Sequence, residues 1–147
     1  LPEIRADTIP QLRDNWQEAG YVAPEDETLH ALALDPICIA LARDHWVMYP
    51  DHAVFLGGHA IVADPLQSPK DFAAAHPERP PCILVEGIGI VVDQAVHTGQ
   101  KLMLRCYLDI ARRVYNSAEV HSLTPAQIGE LLNWDAEKYR QQLNAAR

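Results

Sequence analysis

At 147 residues the chain is long enough for one ordinary domain, which buries roughly two thirds of its unfolded surface without a metal or a disulfide. A formal net charge of −8, with no cluster of lysine and arginine, argues against a nucleic-acid or anionic-membrane surface, because both partners need a positive field. No apolar run approaches the roughly 20 residues of a membrane span, and no signal segment is evident. We therefore expect a small molecule or another protein as the partner.

The three cysteines, Cys38, Cys82 and Cys106, each lie among apolar residues. An odd number of cysteines in such surroundings fits reduced, buried thiols better than a disulfide framework, and we expect a cytoplasmic protein. The chain begins at Leu1 instead of methionine, which fits a processed or excised piece of a longer protein.

The first 25 residues mix charged residues with scattered apolar ones and carry three prolines. Thr8 stands where it can cap a short helix that runs to Trp16, with Pro10 in the first turn. We expect residues 1–25 to be a leader segment that packs onto a neighbour. Residues 26–147 are expected to form a single α/β domain.

Two short helices in series are predicted between residues 25 and 44. Apolar residues recur at helical spacing in the first of them: Leu29, Leu32 and Ala33. Asp35 followed by Pro36 then starts a second helix, because aspartate is a good N-cap and proline is tolerated at the first helical position. The side chains expected to face inward in this second helix are Ile37, Cys38 and Leu41.

Residues 45–64 are rich in aromatic and β-branched residues and are interrupted by Pro50 and by a diglycine. These breaks are too close together for one long helix. The pattern predicts a strand or turn at 45–49, a short element at 53–56 and a strand at 60–63.

The densest group of prolines lies in residues 65–81, which we interpret as a surface excursion with a small helix at 71–75. Two apolar runs follow, at 82–85 and 88–92, separated by two glycines. Each run is too short for a typical helix, so two tightly joined strands are predicted. Three β-branched residues in a row indicate that the second strand is buried on both faces.

The longest helical pattern covers residues 98–116. One face repeats apolar residues at Met103, Cys106, Tyr107, Ile110 and Val114. The opposite face is polar, and Arg105, Asp109 and Arg113 are spaced four apart along it, so they can form ion pairs. After a turn at 116–121, Thr124 and Pro125 are predicted to begin a last helix. Together the elements predict an α/β layered domain with a small mixed β-sheet packed by helices.

The first candidate site contains Asp51, His52 and His59. Two histidines on either side of a turn can bind one metal ion, which Asp51, Asp64 or His45 could help to hold. No HxH, HExxH or CxxC spacing is present, however. The alternative is that His52 packs locally and His59 only follows the diglycine turn.

The second candidate site is Glu86, in the turn between the two predicted strands. A buried glutamate with a raised pKa could act as a general acid or base, whereas a glutamate at a turn tip can also simply face solvent. The adjoining Gly87-Ile88-Gly89 lacks the third glycine of a dinucleotide-binding loop and is followed by a strand, which argues against a nucleotide site.

Three segments of the chain resemble the C-terminal region of class II aldolase/adducin-like proteins, including relatives described as rhamnulose-1-phosphate aldolase fused to a dehydrogenase. The segments are DHWVMYPDHAVFLG (44–57), PPCILVEGIGIVVDQ (80–94) and LLNWDAEKYRQQL (131–143). The likeness lies in the proline-aspartate-histidine segment, the glycine-x-glycine turn and the long helix after it, and it extends over residues 28–143.

The resemblance implies a lyase that acts on a sugar or sugar phosphate and binds a divalent metal, usually zinc, through an HxH pair and a further histidine. This sequence has no HxH, and only Gly58-His59-Ala60 is similar to the later histidine-glycine motif, with Ala60 departing from it. His59 is therefore the one metal-ligand candidate, Glu86 the catalytic candidate, and Asp51 and His52 the substrate-contact candidates. The resemblance implies an accessory C-terminal domain, with an N-terminal aldolase-like domain as partner and an oligomeric enzyme.

Two other functions stay open at this point. One is a non-catalytic interaction domain that oligomerises through the apolar leader and the 98–116 helix. The other is an independent metallo-hydrolase that uses His45, His52 and His59, which would contain bound metal after purification.

Overall fold

The computed structural model describes residues 6–114 and 120–145, with side chains in the last helix described only at 125–134 and at Tyr139. The fold is the predicted α/β layered arrangement, in which helices pack against a four-stranded mixed sheet of strand order β1-β4-β3-β2. The strands are β1 (Tyr21–Val22), β2 (Val62–Ala63), β3 (Cys82–Val85) and β4 (Gly89–Asp93). β4 pairs antiparallel with β1 and β3, and β2 pairs parallel with β3.

The helices occupy most of the described chain. They are α1 (Ile9–Asp14), α2 (Ala31–Leu34), α3 (Pro36–Asp44), α4 (Pro50–Leu56), α5 (Pro69–Ala75), α6 (Thr98–Val114) and α7 (Pro125–Ala145). Short 3-10 helices at Ala6–Thr8, Asn15–Ala19 and Glu27–His30 adjoin α1 and α2. None of the helices in the described ranges has the length and apolar character needed to cross a membrane.

The hairpin of β3 and β4 lies at the centre of the fold, and all nine residues of the two strands are buried. Successive strand residues point to opposite faces of a sheet, so the hairpin supplies apolar side chains to two cores. Leu84, Ile90 and Val92 belong to one hydrophobic cluster, and Ile83 and Val91 belong to the other. The sequence prediction of two tightly joined strands, buried on both faces, is confirmed.

The larger core lies between the sheet and helices α2, α3, α4 and α6. The residues of α6 that are buried in it are Leu104, Tyr107, Leu108 and Ala111. Of the predicted apolar face only Tyr107 is buried, Met103 and Ile110 are half-buried, and Cys106 is exposed. The predicted face was therefore wrong by about one position, because the helix carries apolar residues around much of its circumference and the neighbouring helices select the stripe.

The smaller core covers the other face of the sheet, and residues 9–21 and α5 pack there against the strands. Trp16 packs edge-on against Tyr21 and Phe72, with ring centroids 6.2 and 5.5 Å apart. Tyr21 lies in β1, so the predicted leader contributes a strand to the sheet. Its helix forms at Ile9–Asp14, although Thr8 makes no side-chain capping bond.

Arg79 fastens this N-terminal segment to the sheet. Its guanidinium donates two hydrogen bonds to the carboxylate of Asp93, at 2.9 and 3.2 Å, and others to the carbonyls of Ala19 and Gly20. It also lies over the ring of Tyr21, 5.0 Å from the centroid. Gly20 has a φ of 85°, which side-chain-bearing residues rarely adopt, and a Cβ there would also displace this guanidinium.

The segment 45–64 differs most from its prediction. Pro50 does not interrupt an element there but begins α4, because Tyr49 before it is extended and proline fits the first helical position. Gly57 ends the helix with a φ of 91° that side chains rarely adopt. Residues 45–49 form bends, which agrees with the predicted turn and not with a strand, and β2 is shorter than the strand predicted at 60–63.

The predicted helix starts at Asp35 and Thr124 are confirmed. The carboxylate of Asp35 accepts a hydrogen bond from the backbone N–H of Ile37 at 2.8 Å, and Thr124 Oγ1 accepts one from Gln127 at 3.2 Å. Ile37 itself is exposed, contrary to prediction, while Cys38 is buried. Most of the predicted 116–121 turn lies outside the described residues.

Two neighbouring leucines of α6 test the position of its buried face. Leu104→Ala is expected to lower the free energy of unfolding by about 3 kcal/mol, because Leu104 is fully buried and its truncation leaves a cavity. Leu102→Ala, at a residue that is 66% exposed, should change it by less than about 0.5 kcal/mol. Urea denaturation followed by circular dichroism measures both, and equal losses would contradict this orientation of the helix.

Candidate functional site

His52 is completely buried within α4 and helps to build the turn before it. Its Nδ1 accepts hydrogen bonds from the backbone N–H groups of Met48 and Tyr49, at 3.2 and 3.3 Å. Nδ1 is therefore the unprotonated nitrogen and Nε2 carries the hydrogen. The ring packs edge-on against Tyr107, with centroids 5.1 Å apart. His52 thus accepts the hydrogen bonds that close the turn before α4, which agrees with the alternative in the sequence analysis that this histidine packs locally.

Burial lowers the pKa of His52, while the nearby carboxylate of Asp51 and the backbone carbonyl of Trp46 act in the opposite direction. Within the described residues, neither the imidazole Nε2 nor the indole Nε1 of Trp46 has a partner that meets hydrogen-bond geometry. Both rings pack against Tyr107. A neutral imidazole in this aromatic cluster avoids the cost of a buried charge.

Asp51 and His59, the other members of the first candidate site, are both exposed. His45 lies in the bend before α4, and its Nδ1 is 2.9 Å from the hydroxyl oxygen of Ser122. Among the residues with described side chains, no three histidine, cysteine or acidic groups are arranged to hold a metal ion. The assignment of His59 as a metal ligand therefore remains a prediction without a described partner.

Glu86 occupies the turn between β3 and β4, at the molecular surface. Its carboxylate forms an ion pair with Arg43 of α3, with 2.6 Å between Nη2 and Oε2. The turn itself is held by its backbone, since Glu86 donates to the carbonyl of Ala63 and Gly87 donates to that of Ala33, each at 3.0 Å. The sequence allowed Glu86 to be a buried carboxylate, but in the structure about a third of its side chain is exposed.

Two residues at the outer edge of β4, Arg13 and His30, were not predicted to matter. Arg13 Nε donates to the carbonyl of Ile88 at 2.9 Å, and His30 Nδ1 accepts from the N–H of Ile90 at 3.1 Å. Burial, followed by the charge of Arg13, lowers the pKa of His30. Gly89 between them has a φ of 146°, and a side chain there would meet both groups at 2.6 Å. Because these contacts join residues 60 to 75 positions apart, no local sequence signal could reveal them.

Three surface cavities stand out in the described part of the molecule. An open groove of about 710 Å³ lies between Asn15–Ala19 and residues 65–70. A second cavity, of about 430 Å³, lies between residues 22–26, the end of β4 and the start of α6. A third, of about 560 Å³, is a shallow depression beside α2 and Arg112. None of the three is lined by any predicted site residue: Asp51, His52, His59 or Glu86.

No protein family, curated protein or solved structure was found to match this chain. The arrangement of side chains is therefore the basis for any functional assignment. Asp51 and His52 are neighbours on α4, whereas Glu86 makes its contacts with α3 and with the backbone around the sheet.

The buried state of His52 predicts a pH dependence of stability. Its pKa is lower in the folded chain than in the unfolded chain, so the unfolded state binds more protons below about pH 6.5. The free energy of unfolding should therefore fall as the pH decreases through this range. His52→Asn keeps an acceptor near the Nδ1 position and does not titrate. Between pH 7 and pH 5 its free energy of unfolding should therefore fall by about 1 kcal/mol less than that of the wild type.

His59→Asn is the matched control, because His59 is exposed and its variant should keep the pH dependence of the wild type. His30 retains its own contribution in both variants. Urea denaturation of the three proteins at several pH values measures the slopes. Identical slopes in all three would show that His52 is not a buried, neutral group.

Proposed function

We propose that this chain is an accessory C-terminal domain of a class II aldolase-like protein that acts on a sugar or sugar phosphate, and that it is not catalytic alone. The proposal rests on the observation that the polar residues considered for catalysis have structural roles in this chain. His52 is buried and bonded to its own turn, and Glu86 is paired with Arg43. Within the described residues there is no cluster that could hold the metal such chemistry needs.

The resemblance supports the same proposal. Its first two segments correspond to α4 and to the β3–β4 hairpin, and its third to part of α7. α4 packs between α6 and α7 and contributes to the same core as the hairpin. In the proposed enzyme the zinc and its HxH ligands come from an N-terminal aldolase-like half, and this domain supports that half. Among the predicted site residues, the exposed Asp51 and His59 and the surface residue Glu86 could reach that half, whereas His52 is buried.

The proposal predicts where aldol cleavage activity resides. The isolated chain, supplied with Zn²⁺, should release no dihydroxyacetone phosphate from ketose 1-phosphates. The parent protein, with an HxH pair and a preceding glutamate encoded before Leu1, should release it. Turnover by the isolated chain, or a parent reading frame without such a half, would contradict the proposal.

Two variants of that parent protein separate the roles of Glu86. If Glu86 transfers a proton, Glu86→Gln should lower kcat by about 10² or more, while Arg43→Gln, which removes only its ion-pair partner, should lower it far less. If Glu86 serves only the ion pair with Arg43, the two variants should have equal and small effects, because both side chains are partly exposed.

A second candidate function is a non-catalytic interaction domain, and exposed aromatic side chains of α7 favour it. Trp134 is 61% exposed and Tyr139 is 63% exposed. The sequence predicted that an interaction would use the leader and α6. The described large apolar side chains of these segments, apart from Leu102, are buried or half-buried within the chain. The interaction candidate therefore places the contact on α7, which carries two of the three largely exposed aromatic side chains among the described residues.

The interaction candidate predicts self-association that depends on α7. Sedimentation velocity of the isolated chain should show a concentration-dependent dimer that Trp134→Ser weakens at least tenfold. Leu66→Ser, at an equally exposed apolar residue far along the chain, is the control and should leave association unchanged. A monomer at all concentrations would remove this candidate.

A further inference from the structure

The cavity of about 430 Å³ beside the start of α6 combines an apolar floor with a charged rim. Its floor consists of Leu29, Val92 and Leu104, which are buried residues of the main core. Pro24, Val96 and the exposed Leu102 add apolar walls. Its volume lies within the range of small-molecule pockets, roughly 300–1,000 Å³. The cavity is thus a place where a small apolar group can leave water.

Four charged side chains line the same cavity, and two of them are already neutralised. Asp26 pairs with Arg105 at 3.2 Å, and Asp93 is held by Arg79 at 2.9 Å. Glu25 and Lys101 also line it, and neither forms an ion pair with another residue that the structure describes. The rim therefore offers one carboxylate and one ammonium group to an incoming ligand.

This pair of charges limits the class of ligand. A ligand with only a positive charge would leave Lys101 unmatched and close to a like charge, and a ligand with only a negative charge would do the same at Glu25. A zwitterion matches both groups at once, and its side chain can occupy the apolar floor. Because Glu25 and Lys101 are exposed, each contact is screened by water and contributes modestly.

We infer that this cavity binds a free amino acid with an apolar or aromatic side chain. The side chain packs on Leu29, Val92 and Leu104, the ammonium group faces Glu25, and the carboxylate faces Lys101. The inference does not rest on the proposed aldolase-like function, because binding is measured on the isolated chain without any turnover.

Titration with L-phenylalanine, followed by amide chemical shifts in NMR spectra, tests this inference. We expect saturable shifts around Val22, Val92 and Leu104, with a Kd on the order of 1 mM. Phenethylamine, which lacks the carboxylate, and 3-phenylpropionate, which lacks the ammonium group, should each bind about 3- to 10-fold more weakly. Glycine, which lacks the side chain, should not bind measurably.

Two variants assign the charged contacts. Glu25→Gln should weaken phenylalanine binding about 3- to 10-fold without weakening that of 3-phenylpropionate, because it removes a like charge from the latter. Lys101→Met should weaken phenylalanine binding by a similar factor without weakening that of phenethylamine, for the same reason. Leu102→Asp should abolish binding while the chain stays folded, because this side chain is exposed.

Lys70→Met is the control, since Lys70 lines a different groove, and it should bind phenylalanine like the wild type. Absence of saturable shifts up to tenfold the expected Kd would overturn the inference. So would binding that neither Glu25→Gln nor Lys101→Met alters, since the apolar floor alone would then account for it.

Discussion

The fold depends on a hairpin that is apolar on both of its faces. β3 and β4 cannot leave either face in water, because aliphatic side chains cover both faces: Leu84, Ile90 and Val92 on one, and Ile83, Val85 and Val91 on the other. Helices α2, α3, α4 and α6 cover one face, and the N-terminal segment with α5 covers the other. The two cores therefore follow from the alternation of side chains along nine residues, and they explain why residues 9–22 pack onto the sheet and supply β1.

The outer edge of β4 shows how a sheet ends without a long neighbouring strand. β1 pairs with only its last two residues, and further along the edge the side chains of Arg13 and His30 bond to backbone groups. Arg79 then binds Asp93 at the end of the strand. These side-chain hydrogen bonds prevent backbone N–H and C=O groups of the strand from being buried without partners. They also leave less of the strand edge free to pair with another chain. The residues at positions 20 and 89 are glycines with φ of 85° and 146°, which side-chain-bearing residues rarely adopt, and the long side chains pack closely against their backbone.

The polar residues that the sequence suggests for catalysis or binding have structural roles in the fold. His52 supplies the acceptor that shapes the start of α4, and Glu86 holds α3 against the hairpin turn through Arg43. The charged groups of the inferred amino-acid site, Glu25 and Lys101, lie elsewhere, at the rim of the cavity beside α6. An accessory role in an aldolase-like enzyme and the binding of an amino acid are compatible, since they use different parts of the surface.

The sequence by itself determined the features that depend on neighbouring residues: the hairpin, the helix starts at Asp35 and Thr124, and the short helix of the proline-rich excursion. Local hydrogen bonds and runs of buried residues leave a signal within a few positions. Only the tertiary structure decided which stripe of α6 is buried, that Pro50 begins a helix, and that His52 is enclosed by Tyr107. These outcomes depend on contacts between residues distant in sequence, and the free energy of packing outweighs the weak local preferences that the sequence displays.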